Sequence, residues 1–142
     1  MKNFLLPYTW KFVGLLLTFC GIVVAVLYIW LDVRIMLPVF AVYSSFLETK
    51  IFTSFSTNVA DEITLFLLIA GLGLIVLSRE KNESETTDLI RLKAFIRSVE
   101  ANIIMLLLAV LFVFGTGFVY AMVFNLVSFL VYYLIFFYFY KR

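Results

Sequence analysis

An all-α bundle of four transmembrane helices is the fold class this sequence predicts, on three observations. The chain of 142 residues is 65% hydrophobic and 14% charged, with a mean hydropathy of +1.12, far outside the range of soluble globular chains. Its apolar residues gather into bilayer-length runs, the longest of which, 101–140, has no charged residue at all. Its basic residues crowd onto alternate connections between those runs, as they do in a chain that weaves through a membrane. No stretch is left for a soluble domain, so 1–142 reads as a single membrane domain.

A helix needs about 20 residues to cross ~30 Å of hydrocarbon. The first span falls at 12–31, which is free of charge and has Tyr8 and Trp10 at one end and Tyr28 and Trp30 at the other. Such rings anchor in the headgroup layers. The second span falls at about 60–78, its uncharged part running from Ile63 to Ser78 behind Asp61 and Glu62 and ahead of Arg79. The run 101–140 is twice the length of a span and must fold back, supplying a third span at 101–118 and a fourth at 120–140. The turn is expected between Gly115 and Ala121, because Gly115-Thr116-Gly117 is the strongest helix-breaking cluster there. Segment 33–59 is apolar only from Ile35 to Leu47, carries Pro38, and runs into Glu48 and Lys50. A charge near the bilayer centre costs about 2.5–3.5 kcal/mol, so this segment is expected to be an outer interfacial or partly re-entrant element.

With four spans, Lys2, Lys11, Arg79, Lys81, Arg91, Lys93, Arg97, Lys141 and Arg142 share one face, and only Arg34 and Lys50 lie opposite. The positive-inside rule then places both termini and the loop 79–100 in the cytoplasm. A fifth span before Asp61 would abolish that asymmetry. Asp32, Glu48, Asp61 and Glu62 make the outer connection mildly acidic. The cytoplasmic loop turns from a charge run into an amphipathic helix, expected to start near Asn82 with Glu85 as its capping partner and to continue into the third span. Leu89, Leu92, Ile96, Val99, Ile103, Leu106, Val110 and Val113 recur at helical three-four spacing and form one stripe. That stripe is either packed within the chain or on headgroups, or it is a seam for a partner helix. Asp88 with Arg91, and Arg97 with Glu100, stand three apart and read as decoration of a solvated face.

The chemistry-bearing residues are few. There is no His, which removes the commonest general base and membrane metal ligand. The single Cys20 can form neither an internal disulfide nor a metal cluster and reads as a small packed hydrophobe. Leu17-Thr18-Phe19-Cys20-Gly21 loosely resembles a lipoprotein attachment box, but Phe19 stands where that box has a small residue. The apolar run also continues to Leu31, too long for a cleaved signal peptide. The spans carry no ionisable side chain, and Glu100, at the mouth of the third, reads as a surface residue beside Arg97. No catalytic, cofactor or metal site is therefore expected.

The same absence weighs against proton- or ion-coupled transport. Four short spans resemble the small multidrug resistance exporters in size alone, since those depend on a Glu in the first span and 12–31 has none. Asn102, Asn125 and Ser128, with Thr116, are the polar residues of the last two spans. They read either as hydrogen-bonding contacts between helices or as the lining of a path. Gly14 with Thr18, Gly21 with Ala25, and Gly117 with Ala121 place small residues four apart, which lets helix backbones approach closely. Tyr132, Tyr133, Phe136, Phe137, Tyr138, Phe139 and Tyr140 precede Lys141 and Arg142, as befits a helix ending in the headgroup layer.

FLETK at 46–50, VADEITLFLL at 59–68, LSREKNESETTDLIRLKAF at 77–95 and MVFN at 122–125 together resemble a small uncharacterised bacterial four-span inner-membrane protein family. The resemblance covers roughly 46–133. It implies the same architecture and a multi-pass position in a bacterial cytoplasmic (inner) membrane. That family has no established activity, so the resemblance implies no catalytic residues. The functional expectation is a non-enzymatic accessory, sensor or scaffold subunit in the lipid bilayer. It would act through helix–helix contacts, by self-association or with another membrane protein, and eleven basic against nine acidic residues give no footprint for nucleic acid. The alternative is a self-associating channel or small permease along Asn102, Asn125 and Ser128.

Overall fold

The computed structural model describes residues 5–31, 34–44, 50–81 and 84–142. In chain order these form α1 (Thr9–Leu31), β1 (Met36–Ser44), β2 (Lys50–Asn58), α2 (Ala60–Leu77), α3 (Glu85–Phe112) and α4 (Thr116–Lys141). All four helices are long and apolar enough to cross a membrane, so the chain has the makeup of a multi-pass membrane protein. They pack as two antiparallel pairs, α1 on α2 and α3 on α4, joined chiefly where α2 meets α4.

The α1–α2 pair is held at van der Waals limits by glycine. Gly14 and Gly21 are the buried residues of α1, and Gly71 is buried on α2. A Cβ on Gly71 would lie 2.5 Å from the Thr18 backbone N and 2.8 Å from the Gly14 carbonyl oxygen. Because lipid tails are as apolar as leucine, helices in a bilayer gain most from such close contact. Thr18 turns its hydroxyl back to donate to the Gly14 carbonyl at 2.8 Å, which leaves no unmet donor at the crossing. Gly117 belongs to no comparable crossing: its nearest potential neighbour is Val113 in the preceding turn, at 3.3 Å.

Helix α3 runs unbroken for 28 residues, about 42 Å at 1.5 Å per residue, so the loop helix and the third span are one element. It starts later than the sequence suggests. Ser84 is the N-cap, its hydroxyl accepting from the Thr87 backbone N–H while the Ser84 N–H donates to the Thr87 hydroxyl, each at 3.3 Å. Thr87, not Glu85, therefore completes the capping box, and Asn82 lies outside the described residues. Glu85 and Asp88 instead sit in the first turn, where carboxylates complement the helix dipole.

The third span ends at Phe112, six residues short of the expected 118, and α4 begins at Thr116. Gly115 makes this turn with φ 67° and ψ −140°, a region that a side chain makes costly. The break therefore lies at 113–115, earlier than the expected 115–121: of the helix-breaking cluster only Gly115 belongs to it, and Thr116 and Gly117 are already helical.

Segment 33–59, expected as an outer interfacial or partly re-entrant element, is extended and not helical where it is described. Its described residues form an antiparallel two-stranded ribbon with Met36 opposite Asn58, Val39 opposite Phe55 and Ser44 opposite Lys50. Residues 45–49, including Glu48, lie outside the described residues. Asn58 fastens the ribbon to α2: its side-chain oxygen accepts from the Ile35 N–H at 2.9 Å and the Ala60 N–H at 3.3 Å. The Val59 N–H donates to the Ile35 carbonyl at 3.0 Å. Val59 and Ala60 are buried beneath this clasp.

Gly71 and Gly73 give a matched pair of substitutions on α2. Gly71→Ala forces α1 off its partner and is expected to cost about 1–3 kcal/mol, the usual range for overpacking. Gly73→Ala, with nothing within 4 Å of the added Cβ, is expected to be neutral or slightly stabilising. Equilibrium unfolding of both variants in bicelles distinguishes them, and equal stabilities would contradict the packing described.

Candidate functional site

The end of α2 presents four carbonyls with no partner inside the helix, and Ser78, Leu6 and Arg91 meet them between them. The Ser78 hydroxyl donates to Leu74 at 2.5 Å and the Ser78 backbone N–H to Ile75 at 3.4 Å. The Leu6 N–H, from the segment ahead of α1, donates to Leu77 at 2.9 Å. Arg91, one turn and a half into α3, donates from Nη1 to the Val76 carbonyl at 3.2 Å and from Nη2 to the Ser78 carbonyl at 2.9 Å. The guanidinium thus supplies in trans the cation that α2 lacks in its last turn, where positive charge is favoured by the dipole.

Arg91 is 5% exposed. This corrects its reading as half of a solvated pair with Asp88. Its guanidinium also lies over the ring of Phe137, 5.1 Å from the centroid, within cation–π range. Phe137 stacks beside Tyr133 at 6.1 Å, and both rings close on Ala94, which is fully buried. The aromatic end of α4 thus has two sides. Phe137 and Tyr133 face the core, while Phe139 is exposed.

Beside Arg91 stands a second ionic contact. Glu80, in the α2–α3 connection, accepts from Lys11 at the start of α1 at 2.5 Å and from Lys141 at the end of α4 at 2.6 Å. Lys11 also lies over the Tyr138 ring and Lys141 over Phe137. One carboxylate therefore ties three segments together at a single end of the bundle. Burial alone raises the Glu80 carboxyl, but the hydrogen bonds and charges of Lys11 and Lys141 outweigh it and hold the group below its ordinary value.

Next to this junction a crevice of about 510 Å³ opens between α2 and the α3–α4 pair, walled by Gly73 and Val76, by Leu92 and Phe95, and by Phe129 and Tyr133, with Arg91 the one charged residue in its lining among the described residues. A Cβ added at Gly73 would meet nothing within 4 Å.

The polar residues of the last two spans meet one another. Asn125 donates to the Asn102 side-chain oxygen at 3.1 Å, Asn102 donates back at 3.4 Å, and the Ser128 hydroxyl reaches the Asn102 oxygen at 3.3 Å and its own helix at the Asn125 carbonyl at 3.1 Å. Ser128 is buried. The side chain of Thr116 is outside what is described.

The stripe on α3 is mostly exposed, although Leu92 also borders the crevice. Leu89 is 60% exposed, Leu92 54%, Ile96 49% and Ile103 51%, with Val99 and Leu106 half-buried. The inward face is instead made of Thr87, Arg91, Ala94, Ser98 and Ala109, small or polar residues at three-four spacing. In-chain packing of the stripe is thereby corrected: the small residues let α4 come close, and the large ones are displaced outward. Arg97 and Glu100 pair at 2.7 Å on the exposed surface, as their spacing suggests. Among the described residues, no group of three or more His, Cys, Asp or Glu gathers.

Comparison with known proteins finds no matching family model, no matching curated protein and no matching solved structure.

Two measurements test these contacts. The depressed Glu80 group contributes stability that is complete above the ordinary carboxylate range and is lost as pH falls through the folded-state value, below about 4.5. The melting temperature is expected to be flat from pH 7 to 5 and to fall below that, with the Glu80→Gln variant less stable at pH 7 and less sensitive to acid. For the amide pair, a double-mutant cycle on Asn102→Ala and Asn125→Ala is expected to give a coupling of roughly 0.5–2 kcal/mol. A coupling near zero would mean that the two side chains do not meet.

Proposed function

We propose that this chain is a non-enzymatic subunit of a membrane assembly, with the outer face of α3 as its contact for another transmembrane helix. The exposed stripe carries this reading, and in particular its extent. Ile103 and Leu106 lie in an uncharged stretch, and hydrocarbon suffices to cover them. Leu89 and Leu92 share their turns with Asp88, Arg91 and Lys93, in the part of α3 that extends beyond the ~20 residues a bilayer accommodates. An apolar ridge carried out past the hydrocarbon favours a helix partner that extends with it.

The basic face bearing Lys11, Arg79, Lys81, Lys93 and Lys141 supports a cytoplasmic position for that end under the positive-inside rule. The resemblance of 46–133 to small bacterial inner-membrane proteins supports the bacterial cytoplasmic membrane as the location. The channel reading has less support, because Asn102, Asn125 and Ser128 spend their hydrogen-bonding groups on each other.

In a Cys20→Ser background, Leu89→Cys and Ile96→Cys are expected to cross-link in native membranes to a second polypeptide, with mass spectrometry identifying it. Ala94→Cys, on the buried face, is expected not to. Equal labelling at all three positions, or none at Leu89 and Ile96, sinks the proposal.

A further inference from the structure

We infer that the crevice between α2 and the α3–α4 pair is a binding site for one acyl chain of an anionic phospholipid, with the phosphate held at the basic end of the bundle. This rests on the membrane placement of the helices and not on the α3 partner.

The first ground is location. Gly73, Phe129 and Leu130 belong to the candidate spans of α2 and α4, while Leu5, Leu77, Arg91 and Leu92 line the other end, where α2 stops and α3 runs on past the hydrocarbon, so the crevice leads from hydrocarbon to headgroup level. A space of about 510 Å³ left empty there would forfeit the dispersion contacts of its entire lining. Water would find few partners on walls so largely apolar. A flexible hydrocarbon chain fits both the shape and the surroundings.

The second ground is charge. Arg91 lines the crevice, and Lys141 shares the Phe137 ring with it and the Glu80 carboxylate with Lys11. A headgroup whose chain occupies the crevice reaches this level of the bundle, and an excess of basic residues there favours anionic over zwitterionic lipid.

The third ground is the wall at Gly73. Every other glycine of α1 and α2 is pressed against a neighbouring helix, whereas an added Cβ at Gly73 meets nothing within 4 Å. Position 73 therefore borders the crevice and no helix–helix contact.

That same feature makes the test clean, because a side chain at 73 fills the crevice without disturbing a packed interface. The full chain is placed in nanodiscs of equal parts phosphatidylglycerol and phosphatidylcholine, extracted gently, and examined by native mass spectrometry, with helical content checked by circular dichroism. The wild type and Gly73→Ala are expected to retain one phosphatidylglycerol, and Gly73→Trp and Gly73→Leu to retain at least tenfold less at unchanged helical content. Wild type without a retained lipid, equal retention of phosphatidylcholine, or undiminished retention in both bulky variants would overturn the inference. So would capture of a second copy of the chain by Gly73→Cys in a Cys20→Ser background, which would assign the crevice to that copy.

Discussion

The carbonyl groups at the end of α2 are the constraint around which the rest of this chain is arranged. A helix that stops at a membrane boundary leaves its last carbonyls short of partners at the depth where water becomes scarce, and each unmet group is expensive. Here Ser78 answers two of them locally, while Leu6 and Arg91 arrive from α1's approach and from α3. Satisfying one helix end thus fixes where the first and third helices stand. Once Arg91 is drawn inward, Phe137 covers its guanidinium, and α4 takes its place. Glu80 completes the same junction with Lys11 and Lys141.

The spans were legible because hydrocarbon imposes a length and forbids charge, and both are visible in a string of letters. The helix break at Gly115 was legible for a related reason: a positive φ selects glycine. The ribbon was not, although Ile51, Thr53, Phe55 and Thr57 are residue types that favour strands. Its alternation is blurred because polar and apolar residues occupy both faces, so neither period dominates. The roles of Arg91 and Glu80 were not legible either. Charges in a loop look alike until the fold decides which of them meets a helix end and which meets water. The trio of Asn102, Asn125 and Ser128 could be singled out as polar residues in apolar surroundings, but only the packing of α3 on α4 makes them neighbours.

Helix α3 carries two different surfaces on one rod. Its inward side is small and polar, so that α4 approaches closely and the amide pair can form; its outward side is large and apolar over nearly its whole length. A sequence stripe is usually read as the buried face of a helix. In a membrane that inference reverses easily, since large apolar side chains are at home in lipid and close packing rewards small ones. What distinguishes this stripe from an ordinary lipid-facing surface is its continuation to Leu89, among charges.

The two helix pairs are joined by very different connections, and this has a consequence for biogenesis. Between α3 and α4 only Val113, Phe114 and Gly115 intervene, all uncharged. That hairpin can enter the bilayer as a preformed unit, with almost no polar backbone to carry across. In the membrane placement proposed above, the connection between α1 and α2 would instead carry the whole of 32–59, with Arg34, Lys50 and a ribbon clasped by Asn58, to the far side. The tight glycine crossing of Gly14 on Gly71 would form only after that passage, so the half of the protein with the closest packing would be the half whose assembly waits for translocation.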